Sequence, residues 1–225
     1  MKKISVAIDG PSGAGKSTLA KSISAKIGYV YVDTGALYRT IGYYVFKLGI
    51  DPKNQEAVAE VLPEIQVEMN YGDDGLQHML LNGQDVTKEI RLPEISMYAS
   101  AVSAHPPVRA FLLEMQRHLA YTNNVIMDGR DIGTVVLPEA QVKIFLTATA
   151  EERARRRYLE LEQRGTPQSY ESVFQDIQQR DYNDSHRDAA PLKQADDAVL
   201  LDTTDLSFAE SEQALMKIIE EKTRT

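Results

Sequence analysis

Five short apolar runs punctuate the chain: Ile4–Ile8, Tyr29–Val32, Val125–Met127, Val142–Leu146 and Ala198–Leu201. Each is bounded by Gly, Asp, Asn or Thr, and four are rich in Val and Ile. Such runs, separated by helical patterns, predict buried parallel strands in an α/β layer fold. Leu19, Ile23 and Ile27 recur every four residues after Ser17, and Leu37, Ile41, Val45 and Leu48 form a second stripe. A third stripe, Val108, Phe111, Leu112, Met115 and Leu119, opens on Pro106 and Pro107, a residue type favoured in a helix's first turn. Ser207 and Glu210 have capping-box spacing ahead of Leu215, Ile218 and Ile219. Between Pro63 and Pro93 the rhythm changes. Gln66–Tyr71 alternates, Gly72-Asp73-Asp74-Gly75 reads as a turn, Leu76–Leu81 as a strand, and Asn82-Gly83 as a hairpin turn. A small antiparallel sheet over 63–92 is therefore predicted as an insertion into a core formed by 1–62 and 93–225.

Composition fits this picture. The chain has 225 residues, 43% hydrophobic and 26% charged, the balance of one globular domain with a modest insertion. Its formal net charge of −8 argues against coating nucleic acid or an anionic membrane through bulk charge. Any anion must be held by a local cluster of positive groups. The absence of cysteine excludes disulfides, thiolate metal sites and cysteine nucleophiles. The run Ile4–Ile8 is too short for a signal-peptide core, and no window approaches the roughly 18 apolar residues of a spanning helix. A cytoplasmic monomer without nucleic-acid or membrane partners is expected.

Three of the apolar runs end in an acid, Asp9, Asp33 and Asp128, where open α/β sheets place ligands. Directly after Asp9 comes GPSGAGKST, residues 10–18. It fits the phosphate-loop pattern, with a strand before it and a helix after it. Gly10, Pro11, Ser12, Gly13, Ala14, Gly15, Lys16, Ser17 and Thr18 are thus the expected ATP-binding loop. Its glycines let backbone N–H groups face phosphate oxygens, and the following helix adds its positive end. Lys16 is expected at the terminal phosphates, and the Ser17 hydroxyl at a nucleotide-borne Mg²⁺. A guanine-reading Asn-Lys-x-Asp motif and a long apolar strand ending in Asp-Glu are both absent. Small size and scattered arginines favour a kinase of a small phosphorylated acceptor.

Behind the phosphate loop come VDTGALYR (Val32–Arg39), DGRDIGT (Asp128–Thr134) and RDYNDSHR (Arg180–Arg187). In that order they resemble the bacterial cytidylate kinase family, from about Ile4 to Leu201. The resemblance implies a three-layer phosphate-loop fold with a five-stranded parallel sheet. The antiparallel insertion would bind the acceptor, and a helical lid would lie at about 150–166. It also implies transfer of the γ-phosphate of ATP to CMP or dCMP, with Mg²⁺, giving the diphosphate and ADP. Two polyanions must be brought together, and planar Arg forks suit their phosphates. Lys16, Arg130, Arg180 and Arg187 are the expected catalytic groups, and Arg39 joins them at the acceptor. The family places cytosine contacts at Ser100, Arg109 and Asp131, and sugar contacts at Asp184 and Arg180. Asp33, Thr34 and Gly35 open the second predicted helix as an anion-ready end, with Tyr38 packed near the acceptor. Tyr182 and His186 stand where relatives often carry Arg or Asp. In EERARRRYLELEQRG (Glu151–Gly165), Arg153, Arg156 and Arg157 share a helical face, with Arg156 expected at ATP. The alternatives are a kinase of UMP, AMP or shikimate, or a nucleotide-dependent RNA-binding switch using that Arg-rich helix.

Overall fold

The computed structural model describes residues 3–72 and 77–224. Its strands are β1 (Ser5–Asp9), β2 (Val30–Asp33), β3 (Val67–Tyr71), β4 (Gln77–Leu81), β5 (Gln84–Asp85), β6 (Val125–Gly129), β7 (Val142–Thr147) and β8 (Val199–Asp202). Its α-helices are α1 (Lys16–Ile27), α2 (Thr34–Lys47), α3 (Gln55–Val61), α4 (Pro93–Val102), α5 (Pro106–Thr122), α6 (Ala150–Gln163), α7 (Tyr170–His186) and α8 (Phe208–Thr223). The expected residues Asp73 to Gly75 of the turn, and Leu76, lie outside the described residues. Two compact units emerge, Met1–Tyr31 with Ala120–Thr225, and Val32–Leu119.

The first unit carries the parallel sheet, in the order β2-β6-β1-β7-β8. All five apolar runs become strands. The central strand β1 pairs in register with β6 from Ser5↔Val125 to Asp9↔Gly129, and with β7 from Val6↔Val142 to Asp9↔Phe145. Val6, Ala7 and Ile8 are wholly buried, which is why this strand reads as a continuous apolar run. Leu19, Ile23, Leu215 and Ile219 cover it from α1 and α8. The Ser207/Glu210 capping box forms as expected. α6 and α7 join through Ala154, Leu161, Val173 and Ile177. Among the described residues no helix is long and apolar enough to cross a membrane.

The second unit is larger than the 63–92 insertion. Met79 and Leu81 of the small sheet share one core with Leu37 and Ile41 of α2 and Leu112 of α5, so these amphipathic faces cover one another. β3 and β4 pair antiparallel from Val67↔Leu81 to Tyr71↔Gln77. The Asn82-Gly83 turn links β4 to β5, with both residues left-handed at φ 50° and 78°, as a two-residue hairpin loop requires. Leu48, expected on the α2 stripe, is instead its C-cap and 49% exposed. The helix ends at Lys47, so Leu48 leaves the buried stripe at the first residue beyond it. α2 and α4 approach very closely at Gly42, where an added Cβ would lie 2.8 Å from the Ala99 backbone nitrogen. Backbone cannot give way as a side chain does, so Gly42→Ala is expected to cost about 2 kcal/mol. Urea denaturation would show this as a lower midpoint, and an unchanged midpoint would contradict it.

Candidate active site

The phosphate loop leaves β1 through Gly10, whose φ is 150°, and an added Cβ there would sit 1.9 Å from the Leu146 carbonyl oxygen. Only glycine fits this exit. Gly13 and Gly15 are left-handed, at φ 76° and 90°. Lys16 begins α1 and is buried, its Nζ donating to the Pro11 carbonyl at 2.7 Å. Burial pulls its pKa down to about 7, Arg130 pulls the same way, and Asp128, Asp184 and Asp9 oppose them. An ammonium held this way gains most from an arriving polyanion.

Carboxylates stand at the neighbouring strand ends. Ser17 Oγ donates to Asp128 Oδ2 at 2.8 Å, and the Tyr31 hydroxyl donates to Asp128 Oδ1 at 2.9 Å. Asp9 accepts the Ile132 and Gly133 N–H groups, each at 2.7 Å. Burial raises the Asp9 pKa to about 6 against those two hydrogen bonds. The Ser17 hydroxyl and the Asp128 carboxylate are hard oxygen donors, the chemistry Mg²⁺ prefers. The described residues hold no group of three or more His, Asp or Glu side chains around a metal position. A nucleotide-borne Mg²⁺ needs none.

The first unit gathers the motif arginines. Arg130 Nε donates to Asp184 Oδ2 at 2.7 Å. Burial raises the Asp184 pKa, but Arg130, with Arg187 and Lys16, offsets it and the net direction is down. Arg187 Nη2 lies 3.6 Å from Asp131 Oδ1, with both side chains almost wholly buried, and its Nε donates to the Ala190 carbonyl at 2.8 Å. Arg180 differs. Its Nε is buried and has no hydrogen-bond partner among the described residues. Burial, then Arg157 and Arg130, lower its pKa. A buried guanidinium donor without a partner is costly, and two cationic neighbours mark this place as one that suits an anion.

The arginines of α6 separate despite sharing a helical face. Arg153 turns inward, donating to the Ala148 and Ser12 carbonyls at 2.8 and 3.0 Å and through both terminal nitrogens to Asp181 at 3.0 and 2.6 Å. Arg156 donates to Glu152 at 2.8 Å and to the Thr203 carbonyl at 2.6 Å. One of its terminal nitrogens is 3.9 Å from where a Gly15 Cβ would stand. Arg157 pairs with Glu160.

In the second unit the Asp33 carboxylate caps α2, accepting Ala36 N–H at 3.0 Å, and also accepts Arg39 at 2.7 Å. Gly35 leaves room for this pair, since its Cβ would meet Arg39 Nη1 at 3.0 Å and Asp33 Oδ1 at 3.1 Å. Arg39 Nε is buried with no hydrogen-bond partner among the described residues. Thr34 is buried. Arg109 lies over the Tyr38 ring at 5.6 Å and donates to the Ser103 carbonyl at 3.1 Å. Ser100 is half-buried on α4.

A family model described as cytidylate kinase matches residues 6–221. The chain belongs to the cytidylate kinase family. It is 50% identical over 220 residues to a cytidylate kinase of Caldicellulosiruptor bescii, covering 98% of this chain and 96% of that one. It is 49% identical over 218 residues to a cytidylate kinase of Bacillus cereus, covering 97% and 96%. An uncharacterized protein from Eubacterium ventriosum superposes with a TM-score of 0.54 at 11% identity, covering 98% and 99%, a likeness of fold alone.

For this cytidylate kinase family member, the sequence marks Asp9 and Asp128 as strand-end acids and Arg153 as one of three arginines on a helical face, but it shows the partners of none of them, and it gives no sign of Gln77. The Gln77 side chain accepts Asp33 N–H at 2.8 Å and donates to the Asp33 carbonyl at 3.3 Å, finishing β2 as a neighbouring strand would. Asp128 did carry a signal, an acid ending an apolar strand downstream of a phosphate loop.

Proposed function

We propose that this cytidylate kinase family member transfers the γ-phosphate of ATP to CMP or dCMP, giving CDP or dCDP and ADP. It does so as a cytoplasmic monomer, without nucleic-acid or membrane partners. The observation that supports this best is Arg180: a buried, unpartnered guanidinium nitrogen beside Arg130 and Arg157. Two repelling substrates require such cationic surroundings.

The nucleophile is an oxygen of the acceptor phosphate, already anionic, so no protein base is required. Phosphoryl transfer then rests on positioning and on charge at the transferring group. The loop amides of Gly10–Thr18 cradle the donor phosphates, Lys16 supplies charge at their end, and Arg156 lies beside the loop. Mg²⁺, when bound with ATP, neutralises phosphate charge, and Ser17 is the protein oxygen that would hold it, with Asp128 orienting that hydroxyl. Arg130, Arg180 and Arg187 face the charge that develops in transfer. Asp131 suits the N4 amino donor of cytosine and Arg109 its ring acceptors, with Ser100 a further cytosine contact. Asp184 takes the pentose with Arg180 and holds Arg130 as well. Asp33, Thr34, Gly35, Tyr38 and Arg39 are the further acceptor contacts.

The test is ADP release with ATP and each of CMP, dCMP, UMP, AMP and shikimate. CMP or dCMP is expected to lead AMP and shikimate by about a hundredfold in kcat/KM, because a hydrogen-bonding pocket rejects a mismatched partner strongly. Preference for any other acceptor would overturn the substrate assignment.

A further inference from the structure

We propose that Asp9 is a positioning residue for phosphoryl transfer: its carboxylate clamps the backbone of Ile132 and Gly133 and so sets Arg130 and Asp131 against the phosphate loop. The proposal rests on the roles given above to Arg130 and Asp131. All of these groups lie within the first unit.

The segment after Asp131 is wound as a π-turn over Ile132–Val136, a rare form that appears mostly at functional sites. Like any helix start, it leaves amides without partners inside the turn. Asp131 occupies the capping position, with φ −145° and ψ 28°, yet its carboxylate makes no capping hydrogen bond. Asp9, more than a hundred positions earlier in the chain, caps the turn instead. One oxygen takes Ile132 N–H and the other Gly133 N–H, both at 2.7 Å. Asp131 is thereby released from a local duty, and its carboxylate is directed toward Arg187, 3.6 Å away.

The clamp is built for a carboxylate and for nothing larger at its partner. An added Cβ at Gly133 would stand 3.3 Å from Asp9 Oδ2 and 3.2 Å from Lys143 Cδ. Asp9 is 4% exposed and pairs in register with Gly129, one residue before Arg130. On its other side the next residue is Gly10. One buried side chain thus ties the first residue of the phosphate loop to the loop carrying the acceptor-side arginine and carboxylate. Asp131 and Lys16 are the charged groups facing it.

Asp9→Asn keeps the size and one acceptor but aims an amide N–H at a backbone N–H. It is expected to lower kcat/KM for CMP by about ten- to hundredfold, the effect of losing one charge-assisted hydrogen bond. The loss should be split between a lower kcat and a higher KM for CMP, with the dissociation constant of a non-hydrolysable ATP analogue held within about twofold. Gly133→Ala disturbs the same contact without touching the neighbour of Gly10 and is expected to show a smaller loss of the same pattern. Amide hydrogen exchange reads the clamp directly. Ile132 or Gly133 should lose protection in Asp9→Asn while β6 amides keep theirs. Unchanged protection, or lost protection with wild-type CMP kinetics, would overturn the proposal. A fall in ATP affinity in step with the CMP loss would also overturn it, because Asp9 would then act through the phosphate loop. Arg130→Ala and Asp131→Ala are assayed alongside. Wild-type CMP kinetics in those two would refute the site assignment itself, an outcome distinct from any failure confined to Asp9.

Discussion

Lys16→Met is expected to lower turnover about a thousandfold, the scale for removing a charge aimed at the transferring group, while leaving the substrate-free protein at least as stable. The side chain is buried, and its Nζ donates to the Pro11 carbonyl. Burial is the main cause that takes its pKa from 10.5 to about 7. Between those two values the unfolded chain holds a proton that the folded chain has released. Stability of the parent protein therefore climbs as pH rises through that window, and below it the buried charge is at its most costly. Methionine fills similar space with no charge, so the variant should lose this climb and melt higher near neutrality. Thermal unfolding at about pH 7 and about pH 9, beside an ADP-release assay, measures both halves. Parallel losses of melting temperature and activity would refute the idea that Lys16 serves the reaction and not the fold.

Arg153→Ala should act the other way, through stability first. Its guanidinium is 6% exposed and satisfies two carbonyls and both oxygens of Asp181. Removing it leaves Asp181 uncompensated at a half-buried position and takes a donor from the Ser12 and Ala148 carbonyls. A loss of about 3–5 kcal/mol is expected, the range for breaking a buried ion pair from one side. Arg153→Lys should not restore it, since one ammonium cannot reach four acceptors in this geometry. Ser12 belongs to the phosphate loop, so weaker ATP binding should accompany the instability. The Arg153→Ala, Asp181→Ala double variant should lose less than the sum of the two single ones. Urea unfolding of the four proteins provides the cycle, and a single-variant loss below about 1 kcal/mol would contradict the assignment.

The contrast between these two residues shows what a sequence makes legible. Lys16 lies within a contiguous motif whose neighbours dictate its surroundings, and it was readable at once. Arg153 was readable only as one of three arginines on a helical face. Spacing along α6 orders its side chains, but which of them meets Asp181 depends on how α7 packs. α7 itself was missed because only Val173, Ile177 and Asp184 are buried along its seventeen residues, too thin a stripe to stand out from polar neighbours. The central strands β1 and β6, by comparison, are buried along their whole length and so announce themselves as apolar runs. The motif arginines were found through family likeness. Asp9 was legible only as a strand-end acid and Gln77 not at all, because their hydrogen bonds span 123 and 44 positions, and no local pattern encodes such partners.

Gly10 carries a consequence for both the cradle and the sheet. The chain leaves the central strand pressed against the Leu146 carbonyl, with no space for even a methyl group. The curve of the nucleotide cradle is therefore fixed by the same contact that seals β1 beside β7. A side chain placed at position 10 would press on β7 and distort the cradle together, so neither can be altered there without the other.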